Sequence, residues 1–159
     1  MCSSDLAEPE LTKLDSIVGD GDCGLTLKSG AEHVLHGIQQ GEISGEDVIG
    51  SVANIAKIVG DSMDGTGGAL YSIFFSALAQ GLHDSMSGSA SCTSQTWTQG
   101  LRIALSKLLT YTRARPPSRT LIDPLVAFVH TLEDGGEFTS AVRKEIGRAS
   151  CRERVFNWV

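Results

Sequence analysis

The run ALYSIFFSALAQGL, Ala69 to Leu82, is apolar on nearly every side of a helix. A helix with one wet face can lie on a surface, but one that is apolar all round has to be surrounded by other elements. The chain is therefore expected to fold around this segment, which is expected to end near Gly81. Its neighbours are also helical in pattern. Between Gly24 and Gln40 the apolar residues Leu27, Ala31, Val34, Leu35 and Ile38 recur at three- and four-residue steps, and Gly41 stops the run. Ser44 or Glu46 can open the next helix, which carries Val48, Ile49, Val52, Ile55, Ala56 and Val59 up to a glycine-rich break at Asp64–Gly68. The Ser- and Gly-rich stretch His83–Cys92 has no period and reads as a mobile loop. Trp97, Leu101, Ala104, Leu105, Leu108 and Leu109 give a fourth helix, and Arg115-Pro116-Pro117-Ser118 forces a turn. A fifth runs from about Thr120 through Leu132, and Phe138–Lys144 begins a sixth. No alternating strand pattern of useful length is present. The fold class is all-α, with short loops that make consecutive helices antiparallel neighbours.

The two ends read differently. CSSDL, Cys2 to Leu6, and EIGRA, Glu145 to Ala149, are translations of one DNA word on opposite strands, and that word resembles the core of a common sequencing adapter. The longer run EIGRASCRERV continues the same adapter to Val155. We therefore expect residues 1–6 and 145–159 to be adapter translation, although Phe156–Val159 has no such account, and residues 7–144 to be the domain proper. That piece has the size of one domain and can bury a core. The whole chain has 13 basic and 19 acidic residues, a net charge of −6, and loses further positive charge when Arg148, Arg152 and Arg154 are set aside. Neither a basic face nor a long apolar span is present, so neither nucleic acid nor membrane is expected as a partner. With Cys2 and Cys151 in the ends, Cys23 and Cys92 remain. Two distant cysteines make neither a disulfide framework nor a zinc site, which fits a reducing, cytoplasmic setting.

The chemistry concentrates in three stretches. LDSIVGDGDCG holds Asp15, Asp20 and Asp22 at the junction of what look like two helices, among glycines that let the backbone bend sharply and approach a ligand. Oxygen-rich loops of this kind suit magnesium, with phosphates filling the remaining positions. Capping of the following helix is the bland alternative, and it explains one aspartate rather than three. An EF-hand loop fails, because the sixth and twelfth positions counted from Asp20 are Leu25 and Ala31. The second stretch, Asp64-Gly65-Thr66-Gly67-Gly68, lies at the mouth of a helix, where clustered N–H groups and the Thr66 hydroxyl could hold an anion. No Gly-Lys-Ser/Thr follows it, and its glycines could equally serve close helix packing. The third, ARPPSRTLIDPL, offers Arg115 and Arg119 to phosphate or, as the plainer reading, forms a solvated basic turn. Within it, Asp123 stands three residues after Thr120 in the manner of a capping box. The histidines 33, 36, 83 and 130 show no metal-ligand spacing and read as surface or packing residues.

In this order, LTKLDSIVGDGDCGLTLKSGAE, SMDGTGGALYSIFFSALAQGL and YTRARPPSRTLIDPLVAFV resemble the nucleotide-binding L domain of the dihydroxyacetone (glycerone) kinase family, over essentially all of Leu11–Val142. The resemblance implies an antiparallel helical barrel, here incomplete at both ends, lacking the first helix upstream of Leu11 and the last helices beyond Lys144. It implies two magnesium ions on Asp15, Asp20 and Asp22, bridged by ATP phosphates. By position, Cys23, Gly24, Leu25, Thr26, Thr66, Gly67, Thr112, Thr120 and Leu121 would contact the nucleotide. No catalytic side chain is implied in this piece, since the family's substrate-holding histidine sits in a separate K domain, so the fragment alone is expected to be inactive. Cys23 stands where phosphotransferase-linked bacterial members carry histidine, which is similar to the ATP-using single-chain enzymes of eukaryotes, fungi above all. Asp64 and Gly67 depart from the family's usual Gly and Ser, placing an acid near phosphate and removing a hydroxyl. The implied parent is an ATP-dependent kinase of dihydroxyacetone, with glyceraldehyde as a further triose, and a homodimer. A regulatory relative that binds nucleotide without turnover, and a helical module that binds none, are the rival readings.

Overall fold

The computed structural model describes residues 3–86, 92–139 and 141–142; for residues 3–6 and 18 only the backbone is described. Among these residues every regular element is a helix: α1 (Ser3–Val18), α2 (Cys23–Gln39), α3 (Val48–Ser62), α4 (Gly65–Met86), α5 (Ser94–Tyr111) and α6 (Ile122–Glu133). The all-α expectation holds. The segments 87–91 and 143–159, which include half of the expected serine-rich loop and the whole adapter-like C-terminus, lie outside the described residues. The chain divides into two compact units, Met1–Ala79 and Gln80–Val159.

In the first unit α2 packs between α1 and α3, and glycine makes both contacts possible. A Cβ on Gly24 would stand 2.6 Å from the Glu8 carbonyl oxygen and 2.8 Å from the Thr12 nitrogen, so the backbones of α1 and α2 touch there. On another side of α2, a Cβ on Gly30 would meet the Met63 sulfur at 2.5 Å, and one on Gly37 the Ile58 Cδ1 at 2.8 Å. Gly24, Gly30 and Gly37 are the buried residues of this helix. Of the apolar residues that mark this helix in the sequence, Leu27, Ala31 and Val34 are half-buried, while Leu35 is 42% and Ile38 52% exposed. Small residues let two helix axes approach, and the closest-approach faces are then the glycine faces rather than the leucine face.

The boundaries follow from capping. Gly41, at φ 76°, ends α2 as expected. Neither Ser44 nor Glu46 opens α3; its cap is Asp47, whose Oδ1 accepts the Gly50 N–H at 2.8 Å. Ser44 is instead held by Ser51, whose hydroxyl takes the Ser44 N–H at 2.8 Å and donates to its carbonyl at 2.7 Å. α3 buries Val52, Ala56 and Val59, continued by Met63, the three-and-four spacing of one face. α1 begins at Ser3 and contains Pro9. The helix thus extends upstream of the Ala7 boundary read from the sequence.

α4 is longer than its sequence pattern suggests at both ends. Gly65–Gly68 form its first turn rather than a break, and the helix passes Gly81 to reach Met86, aided by a 2.7 Å bond from Gln80 Nε2 to Asp84 Oδ1 one turn on. It is buried or half-buried along most of its length, with Phe74, Leu78 and Leu82 nearly inaccessible, while Ser76 and Gln80 mark one wet stripe. In the second unit Gly81 lies 3.0 Å from the Gly100 carbonyl oxygen, measured to a Cβ it lacks. α5 starts in a reciprocal box: the Thr96 N–H donates to the Thr93 hydroxyl and the Thr93 N–H to the Thr96 hydroxyl, each at 3.2 Å. Its buried face is Leu101, Ala104, Leu105 and Leu108, and it packs on α6, which buries Ile122 and Val129. Phe138–Thr139 and Ala141–Val142 are helical, as far as the expected sixth helix is described.

Leu108 has no exposed surface, so Leu108→Ala is expected to cost about 2–5 kcal/mol. Leu35→Ala, on the exposed side of α2, is expected to change stability by no more than about 0.5 kcal/mol. Urea melts followed by circular dichroism compare the two; equal losses would mean that α2 is covered on its aliphatic side.

Candidate functional site

Asp15 lies in the last turn of α1, and its carboxylate organises the loop between α1 and α2. Asp15 Oδ2 accepts the N–H of Gly21 at 3.0 Å and of Cys23 at 3.1 Å, and the Asp15 carbonyl accepts the Gly19 N–H at 2.6 Å. These bonds fold residues 19–22 back over the end of α1. Gly21 takes φ 82°, a conformation in which a side chain is strained. Gly19 is needed for a different reason: a Cβ there would stand 2.4 Å from Asp15 Oδ1. The Cys23 N–H is the first of α2, so Asp15 reaches across the loop to satisfy a donor that the helix itself leaves open.

That arrangement releases Asp22. It occupies the cap position of α2, yet its side chain makes no capping hydrogen bond. The capping alternative therefore does not account for it. Asp15, Asp20 and Asp22 can each offer one oxygen such that all three lie within 4.8 Å of one another, with Asp15 half-buried and the other two exposed. Among the described residues no basic side chain pairs with any of the three. The nearby Asp20 charge, a hydrogen bond to Asp20, slight desolvation and Asp15 push the Asp22 carboxyl above the usual carboxylate range. Opposite ligands of an octahedral magnesium stand about 4.2 Å apart, so these oxygens are spread over roughly one coordination sphere. Like charges held this close by backbone bonds fit a hard divalent cation.

The other residues singled out from the sequence divide between the two units. In the first, Cys23 is exposed, Gly24 is consumed by the contact with α1, Leu25 is 56% exposed and Thr26 half-buried. Burial, and after it the charge of Cys23, raise the Tyr71 hydroxyl above its ordinary value. By sequence Tyr71 is only one residue of an apolar helix; the signal that could single it out is its phenol, a polar group inside an apolar run. In the first turn of α4 the glycines separate by role. Gly65 sits at φ 72°, and Gly68 is pressed on Met63, whose carbonyl oxygen a Cβ would meet at 1.9 Å. Gly67 would meet nothing within 4 Å. Packing thus explains Gly68 and not Gly67, and Thr66 is exposed beside it at the N-terminal end of the helix.

In the second unit Thr112 ends α5, its hydroxyl accepting the Ala114 N–H at 3.1 Å. Arg115 is exposed in its turn, as the plainer reading has it, but its guanidinium is not left to solvent alone. Its guanidinium donates to the carbonyls of Leu109 at 3.0 Å, Thr112 at 2.9 Å and Ala114 at 2.6 Å, closing the negative end of α5. Thr120 and Leu121 lead into α6, with Leu121 at its cap position. The expected capping box is half present. Asp123 Oδ2 accepts the Thr120 N–H at 2.9 Å, but the Thr120 hydroxyl takes the N–H of Ile122, at 3.2 Å, rather than of Asp123. Among the described residues the histidines take no part in any cluster of metal-ligating groups.

The profile of the DAK2 domain matches residues 17–152. The chain belongs to the DAK2 domain family. Among curated proteins it is 44% identical over 156 residues to dihydroxyacetone kinase 2 of Saccharomyces cerevisiae, an alignment covering 90% of this chain and 26% of that protein. It is 39% identical over 158 residues to the dihydroxyacetone kinase of Komagataella pastoris, again 90% and 26%, and 30% identical over 128 residues to the human triokinase/FMN cyclase. The crystal structure of the dihydroxyacetone kinase from C. freundii in complex with AMP-PNP and Mg2+ superposes with a TM-score of 0.76 at 26% identity, over 94% of this chain and 26% of that one. This DAK2 domain chain spans about a quarter of the length of the kinases it matches.

Because Asp22 caps nothing, Asp22→Asn is expected to leave the helical circular dichroism and the melting temperature unchanged or raise the latter, by removing a repelled charge. Binding of Mn2+ as a spectroscopic stand-in for Mg2+ is expected to fall at least tenfold, an amide being a weaker ligand, on the order of one charged contact. In the unmutated chain, cation affinity is expected to fall as the pH drops, starting above the range of an isolated Asp, since a proton on Asp22 competes with the cation. Retained Mn2+ binding in Asp22→Asn would exclude it as a ligand.

Proposed function

We propose that this chain is the ATP-binding portion of an ATP-dependent glycerone kinase, a transferase that phosphorylates dihydroxyacetone and, as a second triose, glyceraldehyde. The observation that carries this reading is the release of Asp22 from capping duty into a three-carboxylate cluster stabilised by Asp15. The likeness to a kinase solved with AMP-PNP and Mg2+ supports it. Asp15, Asp20 and Asp22 would hold magnesium, which when bound supplies neutralisation of charge on the transferring phosphoryl group. Asp15 contributes through Oδ1, with Oδ2 engaged on Gly21 and Cys23. The N–H groups of the first turn of α4, the Thr66 hydroxyl and the open side of Gly67 would receive phosphate oxygens. Cys23, Gly24, Leu25 and Thr26 would line the nucleotide from α2, and the family resemblance adds Thr112, Thr120 and Leu121 as contacts. Positioning is the whole of this portion's task.

The domain boundaries belong to the same proposal: residues 7–144 are the kinase portion and residues 1–6 and 145–159 adapter translation. So do the triose, which a K domain outside this chain would hold, the homodimeric full-length parent and the cytoplasmic setting in glycerol metabolism. No helix among the described residues is long and apolar enough to cross a membrane. The chain alone is expected to bind AMP-PNP only with Mg2+ present, by titration calorimetry, and to give no turnover of dihydroxyacetone in a coupled assay. Absence of magnesium-dependent binding would sink the nucleotide reading, and turnover by the chain alone would sink the division of labour. Turnover restored with the full-length protein separates a kinase from a regulatory relative that only binds. Cys23→Ser in that protein is expected to keep most of the activity, since the thiol is a contact and not a nucleophile; a loss of about a thousandfold, the scale of a missing catalytic group, would contradict this.

A further inference from the structure

The segment between α5 and α6 carries a pattern that phosphoryl transfer to a triose leaves unused. Ser118 has Arg115 three residues before it and Arg113 five residues before it. No other serine or threonine of the sequence has an arginine three residues ahead of it. Arg113 and the whole run from Arg115 to Thr120 are exposed, and the run lies outside both helices, which end at Tyr111 and begin at Ile122. Protein kinases that select basic substrates do so by charge pattern, and an arginine fork meets the carboxylates of such a groove bidentately. A groove of this kind takes a short accessible segment, and Arg113–Ser118 can enter one without unwinding α5 or α6. The bonds that close the turn are few. The Ser118 hydroxyl accepts the Arg115 N–H at 2.9 Å and donates to the Arg115 carbonyl, which also accepts the Ser118 N–H at 2.8 Å. All three join exposed residues, so water replaces them when the turn opens.

We propose that Ser118 is a phosphorylation site for a protein kinase that recognises arginine three and five residues before the acceptor hydroxyl, and that its phosphate draws the Arg115 guanidinium off the end of α5. Ser118 Oγ attacks the γ-phosphorus of the ATP held by that kinase. The bond from this phosphorus to the β,γ-bridging oxygen breaks, ADP leaves, and the hydroxyl proton passes to the kinase's base. The phosphoserine carries a charge of about −1.5 to −2 at pH 7, and its ester oxygen no longer donates to the Arg115 carbonyl. In the unmodified chain the Arg115 guanidinium is spent on three neutral acceptors, the carbonyls of Leu109, Thr112 and Ala114. A phosphate takes two parallel N–H bonds from a guanidinium with charge assistance, and such bonds are roughly twice as strong as those to neutral acceptors. The phosphate therefore wins the competition, and the last turn of α5 loses the cation that closes its negative end. None of these steps involves the aspartate cluster.

The test incubates the whole chain with ATP, Mg2+ and a protein kinase whose peptide substrates require arginine at both positions, and locates phosphate by mass spectrometry. Phosphate is expected on Ser118 and absent there in Ser118→Ala. Ser118→Thr, which restores the hydroxyl, is expected to restore labelling, so that loss in Ser118→Ala is not a matter of folding. Arg113→Ala removes an exposed side chain outside both helices and is expected to lower the kinase's kcat/KM at least tenfold, the scale of one lost charge-assisted contact. No phosphate on Ser118 of the native chain, or phosphate only after heat denaturation, would overturn the proposal, as would Arg113→Ala labelled at the unmutated rate. In the phosphorylated chain the amides of Thr110 and Tyr111, in the last turn of α5, are expected to exchange hydrogen about tenfold faster, with the amides of α2 and α3 unchanged. Exchange at Thr110 and Tyr111 that phosphorylation does not alter would refute the displacement of Arg115.

Discussion

The reach of the Asp15 carboxylate across residues 19–22 is the interaction on which the site depends. One oxygen takes two N–H groups, of Gly21 and Cys23, and so joins the end of α1 to the start of α2. A carboxylate accepting backbone N–H groups at a helix start is a charge-assisted bond, stronger than a neutral one. Because Asp15 does the capping, Asp22 makes no capping hydrogen bond at the cap position, and Asp20 is carried on the loop between them. The glycines are what make this geometry attainable. Gly21 supplies the positive φ, and Gly19 leaves room for the Asp15 carboxylate. Three acids brought together in this way repel one another, as the raised Asp22 carboxyl reflects, and the fold keeps them close nonetheless.

The same economy of small residues sets the packing that supports the loop. α2 is held from two sides through Gly24 against α1 and through Gly30 and Gly37 against α3 and the segment before it. Close backbone approach at Gly24 means that α1 and α2 cannot slide without a clash, so the loop between them is clamped at its base. The Ser29 hydroxyl adds a 3.0 Å bond to the carbonyl of Ser62, near the end of α3. Membership of the DAK2 domain family places this arrangement in a wider context, since the relatives named kinases are about four times as long as the aligned portion. A portion of this kind can supply rigid ligand positions while the remaining chemistry resides elsewhere.

Legibility from sequence varies with how many physical causes bear on each residue. α3, α5 and α6 are readable because one apolar stripe decides them. The three aspartates are readable because their spacing among glycines has few other uses. Periodicity misplaces the buried face of α2, since it counts leucine and isoleucine as core and gives glycine no weight, whereas contact with two helices makes glycine the buried residue. The Gly65–Gly68 stretch reads as a break for a related reason. Glycine at a helix mouth and glycine in a loop look alike until a neighbouring carbonyl, here that of Met63, shows which one needs the space. The exposed turn at Arg115 is legible, but its partners are not, because only the chain path reveals the open carbonyls of Leu109, Thr112 and Ala114 beside it.

By itself the sequence determined the helical class, the order of the helices, the location of the acidic loop and the family to which the chain belongs, because each is written in local spacing and residue type. Tertiary structure decided which aspartate caps and which does not, which glycine serves packing and which leaves open space, and that Asp123 accepts the Thr120 N–H. These are choices between partners that compete for the same N–H or the same volume. A hydrogen bond has a fixed reach and direction, so such a competition is settled only when the competing groups are brought to their positions by the fold.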